Sequence, residues 1–152
     1  MTDMEATSVY ENRRLACSDT ERLVRMFEAC TLPRELWTHR AHLTVGLWYL
    51  MRFEEPVAAD LIRTRIKLYN QACGIETTAT SGYHETITLF YVRMIASFLS
   101  RAGKEWQVDK LAEALFKRIG DKRLPFEYYS KERLMSVEAR ARWVEPDLKP
   151  LD

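Results

Sequence analysis

Apolar residues in this chain return every third or fourth position, in segment after segment. That is the repeat of a helix face; a half-buried strand would alternate. No run alternates between turn-forming residues, so the pattern predicts an all-α fold. The helix signals can be placed one by one. Ser18 and Glu21 form a capping box ahead of Leu23, Val24, Phe27 and Cys30. Pro33 starts a short turn through Trp37. Thr38 is a good N-cap for a helix over 39–52. Pro56 opens another over 56–73, with Ala58, Leu61, Ile62, Ile66, Tyr69, Ala72 and Cys73 in its stripe and Gly74 as its stop.

Residues 75–82 read as a polar, Thr-rich loop, and a long helix over 83–100 follows. Its only charge after Glu85 is Arg93, which predicts burial nearly all round. Asp109 is expected to cap an amphipathic helix carrying Leu111, Ala112, Leu115, Phe116 and Ile119, closed by Gly120. Ser130 and Ser136 each announce a short helix, and Pro146 and Pro150 an extended tail. The expected architecture is a single-domain helical bundle over 18–152, with about five main helices around the apolar pair 39–52 and 83–100, and a loose arm over 1–17.

Composition limits the function. At 152 residues the chain suits one domain with a real core. Its 23 Lys and Arg nearly balance 22 Asp and Glu, which argues against a nucleic-acid binder. In 101–142 basic residues outnumber acidic ones 11 to 7, but the signs interleave as on a solvated face. No leader pattern opens the chain, and its most apolar stretch, Leu43 to Met51, is far below the ~20 residues that span a bilayer. Cys17, Cys30 and Cys73 make no Cys-x-x-Cys pair, so reduced thiols and a cytoplasmic site are expected. Dinucleotide, Walker and nucleophile-elbow motifs are absent.

The chemistry gathers at three histidines in two segments, Trp37-Thr38-His39-Arg40-Ala41-His42-Leu43 and Ser81-Gly82-Tyr83-His84-Glu85-Thr86. His39 and His42 share a helix face one turn apart. If the two apolar helices pack side by side, His39, His42 and His84 converge at one end of the bundle. Three neutral imidazoles suit a divalent transition metal (Zn, Fe, Ni, Cu or Mn) and leave positions open for water or substrate. The plain alternative is imidazoles satisfied by Glu85, Thr hydroxyls or buried water. Glu85 is a fourth ligand, a group that orients an imidazole, or a general base; equally, it is a carboxylate that favours a helix start. Tyr49, Tyr83, Thr88 and Arg40 are the candidate substrate contacts, with a surface role for Arg40 and a core role for the aromatics as the alternatives.

These segments, with the later Trp143-Val144-Glu145-Pro146-Asp147-Leu148, resemble a group of bacterial all-helical proteins of unassigned activity, over about Phe27 to Leu151. A looser likeness is to the three-histidine DinB/YfiT-type bundles, which implies a divalent metal. Here the paired histidines come first and are three apart, unlike that pattern. The leading expectation is a metal-dependent enzyme doing hydrolysis or another proton transfer on a small molecule, with oxygen chemistry if the metal is iron. A non-catalytic dimerisation or protein-binding module is the alternative, motivated by the aromatic connector Leu124 to Ser130. A third is a metal-free ligand pocket between the two apolar helices.

Overall fold

A computed structural model describes residues 18–103 and 106–151. The expected arm over 1–17, and Cys17 with it, lies outside the described residues. The elements are α1 (Asp19–Glu28), α2 (His39–Leu50), α3 (Glu55–Ala72), α4 (Glu85–Ala102), α5 (Val108–Ile119), α6 (Lys131–Leu134) and α7 (Val137–Ala141). Two 3-10 turns, Arg34–Leu36 and Leu124–Glu127, lie between them. There is no strand among the described residues, and the fold is the expected all-α bundle.

Local chemistry sets the helix starts. The Ser18, Thr38, Ser130 and Ser136 hydroxyls accept the N–H of Glu21, Ala41, Arg133 and Ala139. Each satisfies a donor that the first helical turn leaves without a partner. Gly74, at φ 70°, follows the end of α3. Asp109 is not the cap of α5. It sits in the first turn behind Gln107, and its carboxylate takes the N–H of Thr20, tying α5 to the start of α1. Cys30 does not extend the α1 stripe either; it takes a left-handed turn at φ 57° just past the helix end.

α2 is the hub, packed on α1, α3, α4 and α5. Its residues from Leu43 through Leu47 are all buried, so this middle stretch of the helix is enclosed on every side. At Gly46 a Cβ would come within 2.8 Å of Ile95 Cδ1, so the glycine lets α2 and α4 approach closely. α4 is less enclosed than its composition suggests. Its buried face runs through Phe90, Tyr91, Val92, Ile95 and Leu99, while Arg93 is exposed and lies 4.7 Å over the Trp143 ring.

The two tyrosines of the aromatic connector pack inside the chain, while Phe126 stays exposed. Tyr128 and Tyr129 meet Phe90 edge-on at 5.3 and 6.4 Å, and the Tyr129 hydroxyl donates to Val144 O. The segment 134–144 is stitched to the start of α4: the Thr86 hydroxyl donates to Arg142 O and accepts from Val144 N. No helix among the described residues is long and apolar enough to cross a membrane.

Candidate functional site

Between α2, α3, α4 and the loop before α4 lies a cavity of about 480 Å³. α2 contributes His39, His42, Leu43 and Gly46; α3 contributes Ile62, Ile66 and Asn70. Ile87, Thr88, Tyr91, Val92 and Ile95 of α4 form another wall. Residues 80–84, Lys122 and Arg140 complete it. The volume is ordinary for a small-molecule site.

His39 stands in this wall with its ring 5.0 Å from the Tyr91 ring, edge to face. Its Nε2 is buried and has no hydrogen-bond partner among the described residues. Burial holds the pKa of His39 below its ordinary value; Lys122 adds to the effect and Asp121 opposes it. His42 stacks on Trp37 at 3.7 Å, and Trp37 in turn stacks on Phe27 at 4.6 Å. His42 Nδ1 is 2.7 Å from Thr38 O. A carbonyl only accepts, so Nδ1 carries the proton and a neutral ring keeps its lone pair on Nε2. Desolvation first, then the charges of His39 and Lys122, lower the His42 pKa, against the Thr38 bond; the residue is exposed, and water screens that shift.

His84 lines the same cavity but is differently employed. It is the N-cap of α4: its Nδ1 accepts from Ile87 N at 3.1 Å, and its Nε2 donates to Leu134 O at 2.8 Å. Both nitrogens are engaged with backbone, and burial lowers its pKa, with Arg140 acting in the same sense and the Leu134 bond opposing. Among the described residues no three His, Cys, Asp or Glu side chains gather as a shared metal ion requires. The structure thus brings His39, His42 and His84 to one cavity, and His84 differs in having both ring nitrogens bonded to backbone.

Glu85 is not among the cavity-lining residues. Its buried carboxylate takes Arg63 Nε at 2.9 and 3.0 Å and Nη2 at 2.6 Å, and the Tyr83 hydroxyl at 3.0 Å. This bidentate pair locks α3 to α4. Tyr83 and Thr88 do line the cavity; the Thr88 hydroxyl donates to His84 O. Tyr49 and Arg40 do not. Tyr49 faces α1 and donates to Glu28, and the exposed Arg40 lies 4.8 Å over the Phe116 ring of α5.

Sequence reading missed Arg140, Lys122 and Asn70. Arg140 reaches back from α7 to donate to Gly82 O and Tyr83 O at 3.1 and 3.3 Å, and its Nε is buried without a partner among the described residues. Nothing local signals that contact. Asn70 did leave a trace: it is a polar side chain beside Tyr69 and one helical turn past Ile66, and it is buried. Compared with models of protein families, with curated proteins and with solved structures, the chain matches none.

Proposed function

We propose that this chain binds a small molecule in the cavity and moves protons on it through His39 and His42. One observation carries the reading: His39 lines the cavity, and its buried Nε2 has no partner among the described residues. Leaving a polar group so costs about 1–3 kcal/mol, a cost that selection removes unless a visiting group satisfies it. His42 supplies the complement, an Nε2 lone pair fixed by the Thr38 bond. Near pH 7 an imidazole of ordinary pKa is already mostly neutral, the form in which it accepts a proton. The reaction class is hydrolysis or another proton transfer.

The test uses the fact that the chain has only 3 histidines. Each gives a resolvable ring signal in a carbon–proton spectrum. Small molecules found by thermal shift are expected to move the His39 and His42 signals and leave the His84 ring bonded to Leu134. Hits that bind His39→Leu and His42→Gln as they bind the parent would overturn the proposal.

A second reading keeps the metal. The unpartnered His39 Nε2 and the His42 Nε2 lone pair stand three residues apart, a spacing at which two imidazoles hold one ion, with water or substrate in the other positions. His84 and Glu85 are not needed as ligands in it. Elemental mass spectrometry on protein made without a His tag decides between the two. About one metal per chain, absent from a folded His39→Ala/His42→Ala double mutant, establishes the metal; none in either, even after divalent ions are added, leaves the acid–base pair.

A further inference from the structure

We infer that the molecule this cavity takes is an anion with an apolar body, a medium-chain monocarboxylate being the simplest case. The inference rests on the small-molecule reading above and adds the ligand class.

The charge in the wall is one-sided. Lys122 and Arg140 line the cavity, and among the described residues no Asp or Glu does. The carboxylates nearby are engaged elsewhere. Glu85 is held by Arg63 and Tyr83, and Asp121 takes the backbone N–H of Arg123 at 2.9 Å. Arg140 is fixed by its two bonds to the 82–83 carbonyls, which leaves its buried Nε as a donor with nothing to meet. A guanidinium held in this way, without a counter-charge, is an anion site in waiting. His39 Nε2 adds a second unmet polar atom in the same wall.

The rest of the wall sets the body of the ligand. Leu43, Ile62, Ile66, Val92 and Ile95 offer only hydrocarbon. A small inorganic anion would leave that surface wetted, and a neutral apolar molecule would leave the positive charges of Lys122 and Arg140 unanswered. An apolar chain ending in a carboxylate answers both. The space of about 480 Å³ accommodates such a molecule.

The probes are butyrate, hexanoate, octanoate and 1-octanol, titrated by calorimetry into the full chain and followed at the histidine signals. Octanoate is expected to bind once per chain, about tenfold tighter than octanol. Each added methylene should tighten the carboxylates about threefold, since each leaves water for an apolar wall. Lys122 is exposed, so Lys122→Glu keeps the fold; it should weaken octanoate about tenfold and octanol less than about twofold. Equal affinity for octanoate and octanol, or equal effects of Lys122→Glu on both, overturns the anion inference while leaving the small-molecule site in place. If neither probe binds and the His39 and His42 signals stay still, the inference fails; the thermal-shift hits then judge the wider reading on their own.

Discussion

His84 and His39 begin alike and end differently. Each stands at the start of an apolar helix, and each lines the same cavity. His84 is tied on both nitrogens, capping α4 on one side and holding Leu134 on the other. His39 leaves a buried nitrogen unmet. The difference comes from what each helix start needs. Thr38 already caps α2, so its histidines are released from that duty. No such residue precedes Glu85, and His84 does the capping itself. Two similar motifs therefore end in different bonding: His84 is spent on holding the fold, and His39 is not.

Substitutions should separate those roles, beginning with the largest effect. Glu85→Ala leaves Arg63 without its bidentate partner between α3 and α4; it should cost about 3 kcal/mol in urea unfolding. A loss under about 1 kcal/mol would show that the pair does not hold the helices. His84→Ala removes a cap and strands the Leu134 carbonyl, for about 2 kcal/mol. His84→Asn should restore about half of that, since a short amide also caps.

His39→Leu reverses the pattern. It replaces an unmet buried nitrogen by an apolar group, so stability should hold or rise by up to about 1 kcal/mol while ligand binding falls. A variant that loses stability as His84→Ala does would erase the contrast. The smallest effect is in pH. Folding lowers the pKa of His39 and His84 below 6.5, so it favours their neutral forms. Their contribution is therefore complete above 6.5 and declines as pH falls through the lowered values. Urea midpoints should drop between about pH 7 and about pH 5, and His84→Asn and His39→Leu should each reduce the slope.

What the sequence made legible was local. Ser18, Thr38, Ser130 and Ser136 were readable as caps because cap and N–H lie three residues apart. The two apolar helices were readable from their stripes, and their packing brings His39 beside Tyr91. Asp109 misled because a good capping residue found a distant N–H instead, that of Thr20, 89 positions away. Glu85 stood where a catalytic carboxylate belongs, but its fate was set by Arg63, 22 residues earlier on another helix. Arg140 joins the cavity across 58 residues, and no spacing rule reaches that far. Long-range partners are chosen by the fold, so a residue's chemistry is visible in sequence and its employment is not.

The stitching of segment 134–144 onto the start of α4 also sets an order of events in synthesis. α2, α3 and α4 leave the ribosome first and can bury their shared stripes as they emerge. His84 must then wait 50 residues for the Leu134 carbonyl, and Thr86 waits longer for Arg142 and Val144. Until that strap arrives, the nascent bundle has helices and a crevice, but the cavity wall lacks Arg140 and the bonds that hold His84 and Thr86. The wall is closed only after residues 134–144 have emerged.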